Sequence, residues 1–166
     1  MKRKQIAGPS VRQALESGRC LPLHPYLKDY LGYCFIKGAL RIRIAVDREL
    51  SRFGVVAPQF GMLIILREAG PMTQVDLGSQ MAIDKATMVR MIDNLEEKKF
   101  LTRATSSTDR RAKYLEITPA GRHAVRKMDA ARKRAEDEAL VVLNQDERAQ
   151  LKRILAKLLM SSDSLK

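Results

Sequence analysis

The amino-acid sequence predicts a mainly α-helical domain that contains one small β-hairpin. Apolar residues recur at steps of three and four over most of the 166 residues, as one face of a helix requires. The spacing changes to two only around residues 100–117, which is typical of half-buried strands. The composition agrees, because a chain with no Trp, 5% aromatic residues and eight Met must fill its core with Leu, Ile, Val and Met. The length suits one ordinary domain.

The first 53 residues divide into an arm and a long helix. Residues 1–25 are basic and contain three Pro and two Gly, so we expect a flexible or loosely docked arm. Residues 26–53 predict one amphipathic helix whose other face carries Arg41, Arg48 and Arg52. The apolar positions of this helix are Leu27, Leu31, Phe35, Ala39, Ile42, Val46, Leu50 and Phe53.

Three shorter helices follow, each marked by a residue that starts or stops a helix. Pro58 lies where a first helical turn tolerates proline, and its helix runs to about Arg67. Thr73 caps a brief helix, and Asp84 is a good N-cap for a further helix that runs to about Lys98.

The hairpin comes next. Residues 100–103 and 113–117 predict its two strands, with a minor third strand near Met72. Residues 104–112 between them are polar and basic without an apolar anchor, so the hairpin tip should project into solvent.

Two helices complete the chain. Thr118 and Pro119 start a helix that we expect to reach about Leu143. Asn144 and Glu147 resemble a capping box that opens the last helix. The apolar stripe of that last helix contains Leu151, Ile154, Leu155, Leu158 and Leu159.

The net charge of +12 indicates a polyanionic partner, and nucleic acid is the commonest one. A solvated basic surface and a membrane surface are the alternatives that charge alone leaves open. The longest apolar run, residues 60–66, is too short to cross a bilayer, and the basic start is not followed by the apolar run of a signal peptide. With two cysteines and no disulfide framework, we expect a soluble, cytoplasmic protein without a membrane partner.

The sequence contains no enzyme motif. A glycine-rich phosphate loop, a nucleophile elbow, a His-based triad and a paired-carboxylate site are all absent. His24 and His123 lack neighbours at metal-ligand spacing. We therefore expect no catalysis, no cofactor and no metal.

The helix from Lys85 has the pattern of a DNA recognition helix. One face carries Met88, Met91, Ile92 and Leu95, which would fix the helix on the protein, and the opposite face shows Lys85, Ala86, Thr87, Arg90 and Asn94. Small side chains at the helix start permit close approach to the major groove, and Arg can bind guanine in bidentate fashion. Asp93 is a complication, because a carboxylate near DNA is unfavourable unless an Arg pairs with it.

The elements beside this helix strengthen the interpretation. A short capped helix precedes it, and a hairpin follows whose tip carries Asp109, Arg110 and Arg111, suited to a minor groove or phosphates. An isolated basic turn would more often be a solubilising loop. In this order, however, the elements predict a winged helix-turn-helix.

The same segments resemble the MarR family of transcriptional regulators. The resemblance covers roughly residues 27–160, and its most specific part is the wing followed by the Thr-Pro-Ala-Gly turn. The residues that carry it are Ala57-Pro58-Gln59-Phe60 with Leu63 and Leu66, Asp84-Lys85-Ala86-Thr87 with Arg90, Asp93 and Leu95, residues 96–103, Asp109-Arg110-Arg111-Ala112-Lys113 and residues 115–121.

The resemblance implies a homodimer on palindromic DNA. In that arrangement residues 26–53 and 119–162 form the helical dimerisation region, and residues 54–118 form the DNA-binding lobe. The DNA-binding residues would be Lys85, Ala86, Thr87 and Arg90 in the major groove, Arg110 and Arg111 at the minor groove with Asp109 shaping the wing, and Thr73 and Gln74 at phosphate. Many members are repressors released by small phenolic or aromatic-carboxylate ligands.

Sensor residues are harder to predict. Tyr30, Tyr33, Arg41 and Met62 could line a pocket for an aromatic acid, although such residues are more often core or surface. We expect Cys34 to be a buried side chain that packs against its neighbours. A redox-responsive regulator using Cys34 or Cys20, and a winged-helix protein-interaction module that does not bind DNA, are the alternative functions.

Overall fold

The computed structural model describes residues 22–105 and 113–160. The helices in these residues are α1 (Leu31–Leu50), α2 (Ala57–Ala69), α3 (Gln74–Met81), α4 (Lys85–Glu97), α5 (Pro119–Ala139) and α6 (Gln145–Met160). The strands are β1 (Met72–Thr73), β2 (Leu101–Thr105) and β3 (Lys113–Ile117). The mainly helical fold with a small hairpin is confirmed. Residues 1–21 of the predicted arm and 106–112 of the predicted hairpin tip lie outside the described residues. The prediction that the first strand ends at residue 103 is wrong, because β2 extends to Thr105 along its pairing with β3.

Helix α1 is shorter than the sequence predicts. The prediction that one helix starts near Leu27 is wrong, because Leu27 ends a separate 3₁₀ turn, Pro25–Leu27, and α1 starts at Leu31. At the other end a second 3₁₀ turn, Ser51–Phe53, follows α1, and Gly54 stops it with a φ of 67°. Apolar spacing cannot separate an α-helix from a short 3₁₀ extension, since both bring every third residue to a similar side.

The core forms around α2. Phe60, Met62, Leu63 and Leu66 on α2 are buried. They belong to one cluster that also contains Val46, Leu50, Val55, Leu77, Met88, Ile92, Leu95, Leu101, Leu115, Ile117, Val125 and Met128. Because this cluster takes side chains from α1, α2, α3, α4, α5 and the sheet, the helix-turn-helix shares one hydrophobic core with α1 and α5.

The three strands form an antiparallel sheet in the order β1-β3-β2. Leu101 pairs with Ile117 and Arg103 pairs with Leu115, while Met72 pairs with the other edge of β3. The minor strand near Met72 is thereby confirmed. Leu101, Leu115 and Ile117 are buried, so the base of the hairpin is fixed to the core.

Helix α5 is held at its start by a cap that also ties it to the sheet. The Thr118 Oγ1 accepts a hydrogen bond from the Gly121 N–H at 2.9 Å and donates to the Lys99 carbonyl at 2.6 Å. Gly121 lies directly against the Phe100 carbonyl. The start of α5 therefore has no room for a side chain at residue 121.

The turn between α5 and α6 is organised by Arg148. The prediction that α5 reaches Leu143 is wrong, because the helix ends at Ala139 and its last carbonyls turn to a side chain instead. The Arg148 guanidinium donates to the carbonyls of Asp137, Leu140 and Leu143 and to the Asp137 carboxylate. This uses the orphan carbonyls that every helix end presents.

The capping box at the start of α6 is confirmed. The Asn144 N–H donates to the Glu147 carboxylate at 2.8 Å, and the Glu147 N–H donates to Asn144 Oδ1 at 2.9 Å.

Across residues 22–105 and 113–160, no one helix combines the length and the apolar character needed to cross a membrane. Leu31–Phe53 and Ala57–Ala69 reach that length and composition only when counted together across a bend of 74°.

Replacing Gly121 with Ala should destabilise the protein by about 2 kcal/mol or more, because inserting atoms into a packed site forces backbone shifts. The new Cβ would overlap the Phe100 carbonyl and lie 2.9 Å from Ile117 Cγ1. Urea unfolding followed by circular dichroism measures the change.

Gly32→Ala is the matched control, because Gly32 lies in the first turn of α1 with no atom within 4 Å of a new Cβ. This control should change stability by less than about 1 kcal/mol. Equal free energies of unfolding for the two variants would show that the contact at Gly121 is not tight.

Candidate nucleic-acid interface

Helix α3, the turn after it and α4 form the helix-turn-helix. Thr73 caps α3 as predicted: its Oγ1 accepts from the Asp76 N–H at 3.1 Å and donates to the Asp76 carboxylate at 2.7 Å. Ala82 ends α3 in the left-handed conformation, with a φ of 50°, and its N–H reaches the last carbonyls of the helix. The chain then enters α4 almost at once, which fixes the angle between the two helices.

Asp84 caps α4 as predicted. Its carboxylate accepts a hydrogen bond from the Thr87 N–H at 2.9 Å. This backbone hydrogen bond, with the Thr87 hydroxyl and the charge of Arg90, lowers the pKa of Asp84 below its ordinary value. Asp84 is therefore ionised at neutral pH, where a negative charge favours the positive end of the helix dipole.

The two faces of α4 differ in burial as its sequence predicts. Met88, Ile92 and Leu95 are buried in the core, whereas Lys85, Ala86 and Arg90 are exposed and Thr87 is half-buried beside them. The Arg90 Nη2 donates to the Thr87 Oγ1 at 3.2 Å. The structure thus brings the four predicted major-groove residues together on one exposed face of a helix that the core holds in place.

Asp93 is paired with an arginine from the hairpin. The Arg103 guanidinium on β2 donates to Asp93 Oδ1 at 2.5 Å and also to the Glu96 carboxylate. The hydrogen bond to Asp93, followed by the charges of Glu96 and Asp93, raises the pKa of Arg103 above its ordinary value. The negative charge of Asp93, which would repel phosphate, is largely neutralised within the protein.

Sequence reasoning missed Arg103. It lies ten residues from Asp93 in a different element, so no helical spacing connects the two. The signal that could have found it is the unpaired carboxylate itself, together with an arginine on the strand that directly follows α4.

The remaining predicted DNA-binding residues have mixed positions. Thr73 and Gln74 are half-buried at the start of α3, and the Thr73 hydroxyl is already bonded to Asp76. Gln74 and Lys85 line a cleft of ≈ 530 Å³ between α3 and α4. Three predicted wing residues, Asp109, Arg110 and Arg111, lie outside the described residues.

The comparisons with known proteins agree with this geometry. A model of the MarR family matches residues 56–113. A candidate transcriptional regulatory protein for the hcr operon of Thauera aromatica is 30% identical over 141 residues, which are 82% of this chain and 82% of that protein. The chain belongs to the MarR family. As a MarR family member it is a DNA-binding transcriptional regulator and not an enzyme.

Solved structures share the fold. BpsR of Bordetella bronchiseptica, whose DNA binding is regulated by 6-hydroxynicotinic acid, is 26% identical with a TM-score of 0.70, covering 86% of this chain and 100% of that one. A mutant MarR of E. coli in complex with operator DNA is 24% identical with a TM-score of 0.69, covering 82% and 99%. These similarities confirm the winged helix-turn-helix architecture.

This MarR family protein has an apolar groove of ≈ 490 Å³ between its terminal helices. We call it the terminal-helix groove. Its lining residues are Leu31, Cys34, Phe35, Gly38, Ala39, Arg41, Ile42, Ala139, Leu140, Val142, Leu143, Leu151 and Leu155. Arg41 is the one fully charged side chain in this lining.

The structure does not bring the four predicted pocket residues together. Arg41 lines the terminal-helix groove, but Met62 is fully buried in the core. Tyr30 is 63% exposed at the start of α1, and the Tyr33 ring lies 5.5 Å from the Lys37 Nζ. Helical spacing placed these side chains on plausible faces, but it could not tell which face the core would cover.

Cys34 is half-buried in the groove wall, where we expected it to be buried, and its Sγ donates to the Lys28 carbonyl at 3.1 Å. Cys20 lies outside the described residues. Within residues 22–105 and 113–160, no three His, Cys, Asp or Glu side chains are arranged to hold a metal ion.

Proposed function

We propose that the protein is a homodimeric repressor that binds an inverted-repeat operator and is released by a small aromatic acid. The observation that carries the DNA-binding part is the exposed face of α4 that holds Lys85, Ala86, Thr87 and Arg90 together. A rigid helix face with small residues at its start and one Arg a turn later can enter a major groove and read base edges.

The other DNA contacts follow from the winged arrangement. Strand β2 follows α4 and pairs with β3, so we expect Arg110 and Arg111, between these two strands, to reach the neighbouring minor groove, with Asp109 shaping the turn. Thr73 and Gln74 would contact phosphate through backbone N–H groups, since the Thr73 hydroxyl is already bonded to Asp76. We propose residues 54–118 as the DNA-binding lobe.

Arg90→Ala should weaken binding to the operator by about 1–3 kcal/mol and binding to random DNA much less, because only the operator offers Arg90 a matched base edge. The operator is the duplex that the wild type selects from a random library, and a scrambled duplex of equal composition is the comparison. Fluorescence anisotropy at several salt concentrations measures both affinities.

Lys133→Ala, which removes an exposed charge on α5, is the control and should leave the ratio of the two affinities unchanged. Equal losses on the two duplexes for Arg90→Ala would contradict base reading by this residue. Wild-type binding that changes little between 50 and 200 mM salt would contradict DNA binding altogether, because a protein contacting about six to ten phosphates loses about 10³–10⁵ in affinity.

The homodimer is supported by where apolar surface is exposed. Within the described residues, most exposed large apolar side chains lie on α1, on the α5–α6 turn and on α6. They are Leu31, Phe35, Ile36, Val141, Val142, Ile154, Leu158, Leu159 and Met160. Exposed apolar side chains concentrated on these helices favour protein–protein contact, and residues 26–53 and 119–162 are our proposed dimerisation region. A two-fold dimer would present its two α4 helices about 34–36 Å apart.

Leu159→Glu should weaken the dimer at least about tenfold, because it would bury an unpaired charge in the interface. Leu159 is 77% exposed in the single chain. Sedimentation equilibrium distinguishes the 18.8 kDa subunit from a species of twice that mass.

Val75→Glu is the matched control, because Val75 is 75% exposed on α3, away from the terminal helices. Val75→Glu should leave the mass of the sedimenting species equal to that of the wild type. A wild type that sediments as a single subunit would overturn the homodimer.

The terminal-helix groove supports release by a small acid. It is apolar on most sides, carries the cationic Arg41 in its lining, and would be closed by a second subunit. A groove with these walls suits an aromatic ring with a carboxylate, which is the class of compound that regulates BpsR. A ligand there would bind one arrangement of the terminal helices better and so couple to DNA binding by about 1–3 kcal/mol.

Titrating 6-hydroxynicotinic acid and a panel of simple aromatic acids into the protein–operator complex should reveal at least one that lowers operator affinity. Arg41→Ala should abolish this response while keeping operator affinity, because the carboxylate loses its partner. Arg43→Ala, on the same helix but outside the groove lining, should keep the response. A response that survives Arg41→Ala would place the ligand elsewhere, and a reporter gene repressed more strongly by the acid would contradict release.

A further inference from the structure

Gln59 holds the one buried polar side chain among the residues that the structure describes. It lies near the start of α2 and is 5% exposed. Its Oε1 accepts a hydrogen bond from the Val56 N–H at 3.0 Å. Its Nε2 donates to the Met91 carbonyl at 3.1 Å and to Asn94 Oδ1 at 2.8 Å, both on α4.

The orientation of this amide is fixed by its partners. A backbone N–H on one side requires an oxygen, and a backbone carbonyl on the other side requires an N–H donor. A carboxylate would face two acceptors at Met91 and Asn94, and an apolar side chain would leave the partly buried Val56 N–H and the Asn94 side chain without this partner. Among side chains of this length, only glutamine satisfies both ends.

Gln59 therefore connects α2 to α4 by directional bonds beside the DNA-facing residues. Asn94 lies one helical turn after Arg90, and a shallow cleft is lined by Gln59, Thr87, Arg90 and Asn94 together. The apolar contacts of Met88, Ile92 and Leu95 hold α4 on the core, but hydrophobic attraction is not directional. Hydrogen bonds to one carbonyl and one side chain of α4 constrain its rotation and its depth.

We propose that Gln59 is a specificity-determining positioning residue that sets the rotation of α4 against DNA. This rests on the proposed function, because it requires that the α4 face reads bases. Contacts to phosphate tolerate a small shift of the helix, since the phosphate backbone is the same at every sequence. A bidentate contact from Arg90 to a base edge requires two aligned hydrogen bonds, so a small rotation removes it.

The test compares Gln59→Met, Asn94→Ala and the double variant on two duplexes. One is the inverted-repeat duplex that wild-type protein selects from a random library, and the other is a scrambled duplex of equal composition. Each single variant should lose about tenfold on the selected duplex, equal to about 1.4 kcal/mol. On the scrambled duplex it should lose less than about twofold, because the phosphate contacts remain. The double variant should bind no worse than the weaker single variant, since the two residues share one bond.

The control is Lys133→Met, an exposed side chain on α5 outside the exposed apolar surface proposed for the dimer, which should leave the preference between the two duplexes unchanged. Equal losses on both duplexes, an unchanged preference in variants that melt like the wild type, or additive losses in the double variant would each overturn the proposal. If Gln59→Met does not fold, Gln59→Asn replaces it, because the shorter amide no longer reaches the Met91 carbonyl and Asn94 Oδ1.

The selection step separates the two levels of the argument. A wild type that enriches no inverted repeat contradicts the proposed function and this inference with it. A wild type that enriches one, followed by variants that keep its preference, contradicts only the role of Gln59.

Discussion

The burial of one face of α4 is the constraint on which the DNA-binding surface depends. Met88, Ile92 and Leu95 enter a core that α2 shares with the sheet and the terminal helices. A helix held this way stays attached to the core, so its outer side chains remain on the protein surface. The cap at Asp84 adds a fixed start, and the hydrogen bonds of Gln59 add a fixed rotation. Reading a base sequence requires this rigidity, whereas attraction to a polyanion requires only charge.

Charge and shape serve different purposes in this chain. The net charge of +12 supplies long-range attraction to nucleic acid without selecting a sequence. Selectivity also requires that an unpaired negative charge does not face the phosphates. The Arg103–Asp93 ion pair meets this requirement, because it keeps a carboxylate of α4 paired within the protein. The same pair connects α4 to β2, so the helix and the wing are positioned relative to each other by an ionic contact.

Residues with strong local chemistry made much of this fold predictable. Thr73, Asp84, Thr118 and Asn144 each cap the helix that the sequence assigned to them, because a capping side chain acts within three residues of itself. Features that depend on distant parts of the chain were not predictable. The early end of α5 depends on Arg148, whose capping role appears only once the chain has turned.

The residues of the candidate sites were predictable to different degrees for the same reason. The residues of α4 that we propose to face DNA were predictable from the helical period of one element, and the structure places them on one exposed face. The pocket residues required knowledge of which side of α1 and α2 faces the core, and Met62 proved to be inside it. Gln59 was visible in the sequence only as part of a family pattern, since its partners on α4 are 32 and 35 residues away.

The turn between α5 and α6 that Arg148 organises limits where the terminal helices can move. One guanidinium holds three carbonyls and a carboxylate, so α5 and α6 meet at a braced joint. Bending at this joint would break several charge-assisted hydrogen bonds at once. Movement is therefore expected at contacts that are held by fewer directional bonds. The contact between α1 and α5 is held by fewer directional bonds, because the described residues join the two helices by buried apolar side chains and by the exposed Arg48–Glu138 ion pair. A compound bound near that contact would therefore change the packing of α1 on α5 more readily than it would bend the joint between α5 and α6.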